Sequence, residues 1–178
     1  MTKRNNYVFI ALHIVAWLIF VGLSIEAGGL IVNFIFSLYR PEFVQNLYQK
    51  LDLSQMYNLN RCVFFSIYSF ILFISILKAY LFYVVIMLLY KINLLKPFDS
   101  YVAGQIKKIS YYTLSIGLIS YLARQTVKNL PHYGFEIEAL NQFWADSQAW
   151  ILMAAIIYVI ATIFSRGVEI QNENDLTV

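Results

Sequence analysis

Two apolar stretches dominate this chain, from about Tyr7 to Phe36 and from about Cys62 to Tyr90, and each carries one charge, Glu26 in the first and Lys78 in the second. About 20 apolar residues suffice to cross the hydrocarbon of a bilayer. Hydrocarbon offers no hydrogen bonds, so such a segment must satisfy its own backbone groups and is helical. An ionised side chain at that depth costs roughly 2.5 kcal/mol or more. Glu26 and Lys78 are tolerated there if they face a protein interior and pair, as an intramembrane polar pair; the other position open to Glu26 is the outer interface, before Ala27-Gly28-Gly29.

Two further apolar segments follow, about Ile106 to Thr126 and about Ala149 to Phe164. No segment alternates as a membrane barrel strand does. The expected fold is all-α, an integral membrane four-helix bundle in one domain. Its helices are expected at about 7–36, 62–90, 99–128 and 146–166, with a cytoplasmic tail over 167–178. Only 13% of the 178 residues are charged, against about 25% in soluble domains. The net charge of +3 is small, and no Lys/Arg run exceeds the pairs Lys3-Arg4 and Lys107-Lys108. That argues against direct nucleic-acid binding. The 19 residues from Tyr7 to Ile25 exceed a normal signal-peptide core, so a retained anchor helix is expected.

With both termini inside, the inner side carries seven cations and the outer side five. The inner loop before the third helix is the most basic, with Asp99 its sole acid. The positive-inside rule then gives a multi-pass chain with both termini cytoplasmic. Outside, the residues from Pro41 to Leu51 alternate apolar and polar faces as a short amphipathic helix. Phe143, Trp144 and Trp150 read as interfacial anchors. Pro97 is expected to end the second helix, and Asp99 or Ser100 to cap the third. Gly167 either breaks the last helix or permits close packing.

Little in the sequence supports catalysis. His13 and His132 fall on opposite sides in this topology, and no metal-ligand spacing, glycine-flanked serine or phosphate loop occurs. No cofactor or metal is expected. Cys62 is the sole cysteine and reads as a packed thiol. Counted from the inner ends of their helices, Glu26 and Lys78 differ in depth by roughly 9 Å at 1.5 Å per residue. Pairing then relies on the long lysine stem. A coupling carboxylate is the other reading of Glu26, by analogy with small four-helix multidrug exporters that use one in their first helix. Gly22, Gly28 and Gly117 permit close helix contacts and leave self-association open, though no Gly-x-x-x-Gly pair is present.

The run from Phe164 through Arg166, Gly167, Glu169, Glu173 and Asp175 to Val178 resembles the ending of a bacterial membrane-protein family known as domain of unknown function 2975. The Lys96-Pro97-Phe98-Asp99 loop and the turn Ile106-Lys107-Lys108-Ile109 resemble it too. Leu47 to Leu53 is similar to the outer loop of its Bacteroidetes members. The resemblance implies four transmembrane helices and no established activity. It also implies a partner, because such proteins are often encoded beside a small helix-turn-helix regulator.

The expected function is a non-enzymatic membrane protein that sequesters, or signals to, such a cytoplasmic transcription regulator. Its docking face is expected to comprise Lys91, Lys96, Lys107, Lys108, Arg166, Glu169, Glu173 and Asp175, with membrane lipid around the helices. The alternative is a small proton-coupled transporter, or a transporter accessory subunit, that uses Glu26.

Overall fold

A computed structural model describes residues 3–40, 44, 52–93, 98–135 and 137–176 of the chain. Among them it is all-α. Four long helices, α1 (Lys3–Tyr39), α3 (Arg61–Lys91), α4 (Ser100–Val127) and α6 (Ser147–Leu176), are joined by two short ones, α2 (Ser54–Leu59) and α5 (Asn141–Trp144). The amphipathic helix expected over 41–51 lies outside the described residues, save Val44, which is buried. The short outer helix seen is α2, whose Met56 and Tyr57 are buried. Just before it, hydrogen bonds from the Ser54 side chain and backbone N–H hold the Asp52 carboxyl below the usual carboxylate range.

Local chemistry sets the helix ends. Asn60 caps α3 by accepting from the backbone N–H groups of Cys62 and Val63. Asp99 caps α4, accepting from Tyr101 N at 2.7 Å and Val102 N at 3.3 Å, so the expected cap at this position is met. Such a side chain satisfies N–H groups that a helix start leaves orphaned. Gly134 adopts φ 83°, the left-handed conformation that closes the turn after Pro131.

The long helices pack in a row rather than around a common centre. α1 lies on α3, α3 on α4 and α4 on α6, while α1 and α6 share no comparable interface. The shielded positions of α1 repeat at alternating intervals of four and three, through Phe9, His13, Ala16, Phe20, Leu23, Ala27, Leu30, Phe34 and Ser37. That is the seam of a helix facing one partner at a shallow crossing angle. α3 is shielded on two sides and exposes one stripe, including Cys62, Ser69, Phe73, Ile76, Tyr80 and Tyr83. Cys62 is thus exposed rather than packed, because it falls on the stripe that no helix covers.

The α4–α6 seam is of a different kind. Ala103, Ser110 and Gly117 recur every seven residues on α4 and are buried; so are Ser147, Ala154 and Ala161 on α6. The backbones approach closely, and Ser110 Oγ donates to the Ala154 carbonyl at 3.0 Å. Large apolar side chains point away: Leu118, Leu122, Leu152 and Ile156 are exposed. Small and polar residues inside, with large apolar ones outside, is the pattern of helices that associate in lipid. It also accounts for α4 being less apolar than its neighbours. Three helical stretches, Tyr7–Tyr39, Arg61–Lys91 and Glu138–Asn174, are long and apolar enough to cross a membrane, and α4 is not among them.

The densest core lies near the α2 end. Phe34, Tyr57, Phe64, Phe65 and Tyr68 stack there edge-on and face-on, and the Tyr68 hydroxyl donates to the Leu30 carbonyl at 3.1 Å. Phe143 and Trp144 join this core, with Trp144 only 2% exposed. They are core residues rather than the expected interfacial anchors, because the chain after α4 folds back along the helices before α6 begins.

The α4–α6 seam generates a paired prediction. A Cβ on Gly117 would lie 2.7 Å from Ile151 Cγ1 and 2.9 Å from Ile151 N, whereas one on Gly28 meets nothing within 4 Å. Alanine is the better helix former by about 1 kcal/mol, yet overpacking costs ~1–3 kcal/mol. Gly117→Ala should therefore lower the melting temperature of the detergent-solubilised protein, and Gly28→Ala should hold or raise it.

Candidate functional site

The polar residues inside the helical row are set by the α1–α3 register. His13 packs beside Tyr90 and Phe20 beside Tyr83, so the two helices run antiparallel. The same register sets Ile25 and Glu26 opposite Lys78 and Leu77. Glu26 and Lys78 thus share one level rather than standing apart in depth. The offset vanishes because α1 overhangs: His13, not Tyr7, faces the last turn of α3. Both side chains are half-buried. They do not close to an ion pair, since no contact within 4.0 Å joins them. Lys78 nevertheless lies within electrostatic reach of Glu26 and of Asp146.

Asp146 was not singled out in the sequence. It immediately precedes the fourth apolar run, a position that reads as an outer boundary. The structure starts α6 beside Gly117, ten residues before α4 ends at Val127. At 1.5 Å per residue that sets the α6 start about 15 Å short of the α4 end. Asp146 is thereby carried down toward Lys78. The adjoining Ser147 hydroxyl is fully buried and has no hydrogen-bond partner among the described residues. Buried hydroxyls are normally partnered, so this is a polar point inside an apolar wall. The arrangement is one half-buried ammonium within the electrostatic influence of two carboxylates, one on α1 and one in the turn before α6. Such a group can hold helices together or change their packing when one member gains or loses a proton.

The expected docking residues cluster at the opposite level. The helices alternate in direction, so both termini and the α3–α4 connection share one end of the molecule. Lys91 ends α3 with its Nζ 4.8 Å over the Tyr101 ring. Lys107 and Lys108 are exposed on α4. Lys107 lines a groove of about 240 Å³ with Thr162, Ser165, Arg166 and Glu169 of α6. Arg166 and Glu169 form an exposed pair at 2.8 Å. Glu173 is exposed on the last turns of α6, and the backbone of Asp175 is helical. Lys96 lies outside the described residues.

The tail departs from its expected form. α6 does not stop near residue 166 but continues unbroken to Leu176. Gly167 permits close packing instead of breaking the helix: the Phe98 ring lies directly against it, where any side chain would clash. Beyond Gly167, nine more helical residues project roughly 13 Å past the Phe98 contact.

Nothing in this geometry points to catalysis. His13 and His132 lie at opposite ends, and no group of three or more His, Cys, Asp or Glu able to hold a metal occurs among the described residues. The class is therefore an all-α protein with three helical stretches long and apolar enough for a membrane and a polar helical projection at one end. The chain belongs to the family described as protein of unknown function (DUF2975), whose model matches residues 44–178. The match takes in α2 through α6, including the basic connection and the tail, and leaves out α1 with Glu26. No curated protein and no solved structure matches the chain.

If Lys78 is held by its carboxylates, breaking the group and removing it differ in sign. Lys78→Met alone and Glu26→Gln alone should each lower thermal stability. The double variant should recover most of the loss, with a coupling of about 0.5–3 kcal/mol in a double-mutant cycle. Additive losses would show that the two side chains act separately.

Proposed function

We propose that this is a non-enzymatic, multi-pass protein of the bacterial inner membrane with both termini in the cytoplasm. It docks a small cytoplasmic helix-turn-helix transcription regulator on its terminal end, sequestering it or relaying a signal to it. The observation that carries this reading is the α6 projection. Past the Gly167–Phe98 contact this helix runs on for nine residues to Leu176, six of them polar. It stands beside Lys107 and Arg166 and offers Glu169 and Glu173 along its length, with Ile170 exposed between them. Mixed charge around an apolar residue suits a protein partner better than a lipid surface. The family match takes in the basic connection and the whole tail along with the rest of α2 to α6. Membrane insertion is supported by the three long apolar stretches and by the small-residue seam between α4 and α6.

A second reading rests on a separate observation, the shared level of Glu26 and Lys78. In it the protein is a small proton-coupled transporter or its accessory subunit, and Glu26 is the coupling carboxylate. That reading requires Glu26→Gln to abolish a proton-linked flux at unchanged expression.

The leading reading is tested by truncation. Stopping the chain after Val168 keeps the Gly167–Phe98 contact and removes the projection. Affinity purification from native membranes should recover a small helix-turn-helix protein with the full chain and lose it with the truncated one. Equal recovery with both would remove the tail from the interface.

A further inference from the structure

The outer end of α4 and the chain leading into α6 form an open cleft of about 390 Å³ that neither the tail nor the Glu26–Lys78 level explains. Arg124 and Lys128, one helical turn apart, stand on one wall. Gln125 joins them from α4, and Asn141, Trp144 and Gln148 line the other side. No carboxylate lines it among the described residues; Glu138 lines a neighbouring cavity with Asp52 and Pro131. Neither Arg124 nor Lys128 makes an ion pair, a ring contact or a side-chain hydrogen bond among the described residues.

Cations in the last turn of a helix interact favourably with its dipole, and that alone would explain their sign. It does not explain the cavity. Two cations converge on a space bounded by three carboxamides and an indole, all able to donate hydrogen bonds. A guanidinium fork recognises an oxyanion through two parallel hydrogen bonds, and an ammonium adds a point charge. The volume lies within the range of small-ligand sites, about 300–1,000 Å³. A planar carboxylate offers two acceptor oxygens in one plane, whereas a phosphodiester offers two terminal and two bridging oxygens, and a monoester three terminal ones, arranged tetrahedrally toward the fork, the ammonium and the amides.

We propose that this cavity is a binding site for a phosphate-bearing anion, held by Arg124 and Lys128 and oriented by Gln125, Asn141 and Gln148. The phosphate comes either from the headgroup of an anionic lipid at the membrane surface or from a soluble phosphate monoester. The site is at the end opposite the proposed regulator interface, so it does not depend on that interface.

The test uses the full-length protein in an uncharged detergent, with binding read by thermal shift and by native mass spectrometry. The probes are phosphatidylglycerol, phosphatidylcholine and glycerol 3-phosphate. Phosphatidylglycerol should raise the melting temperature more than phosphatidylcholine if the source is lipid, and glycerol 3-phosphate should suffice if it is soluble. Either result supports the site, provided that Arg124→Gln/Lys128→Gln weakens binding by about tenfold or more. Arg40→Gln/Arg61→Gln removes two cations from the same end outside the cavity and should bind as the wild type does. Lys128→Gln alone, a change at an exposed position, should weaken binding by about threefold or more even if the double variant fails to fold. Absence of a phosphate-dependent shift in the wild type would overturn the proposal, as would an equal shift in the Lys128→Gln variant.

Discussion

Helices that meet in water do so through large apolar side chains, yet α4 and α6 meet through Ala103, Ser110 and Gly117 on one and Ser147, Ala154 and Ala161 on the other. Close approach of two backbones replaces hydrophobic burial as the source of contact, and dispersion and the Ser110 hydrogen bond follow from it. Much else depends on this seam. It sets the start of α6 beside Gly117, well short of the end of α4. The chain between them must therefore fold back, which buries Phe143 and Trp144 and brings Asp146 toward Lys78. At the other end the same register carries α6 past Phe98 and leaves its polar turns projecting.

The row-like packing has an electrostatic consequence. Each terminal helix touches one neighbour, so α1 and α6 are the least restrained of the long helices. The Glu26–Lys78–Asp146 level is where charge links α1, α3 and the start of α6. The three groups come from α1, α3 and the turn that leads into α6.

Much of the architecture was legible in the sequence. The four apolar segments became the four long helices, and Asp99 caps α4 because its short carboxylate accepts from the otherwise orphaned N–H groups of Tyr101 and Val102. The reading of depth was less secure, since it assumed that helix ends align. α1 overhangs α3 and α6 overhangs α4, so counting from the ends misplaced Glu26 against Lys78 and hid Asp146 altogether. Composition could not reveal that α4 turns its polar side inward, because the same residues lower its hydropathy whichever way they face. Trp144 shows the same limit: an aromatic beside an apolar run suits an interface and a core equally until the path of the chain is known.

The account requires the terminal end of the molecule to face the cytoplasm, and the sole cysteine tests this directly. Cys62 is exposed at the opposite end, on the second residue of α3. A membrane-impermeant maleimide that crosses the outer membrane should label Cys62 in intact cells, while a cysteine introduced at Gln171 in a Cys62→Ser background should react only after lysis. The reverse pattern, with Cys62 protected and position 171 labelled from outside, would contradict the account, because the projecting tail would then be out of reach of any cytoplasmic partner.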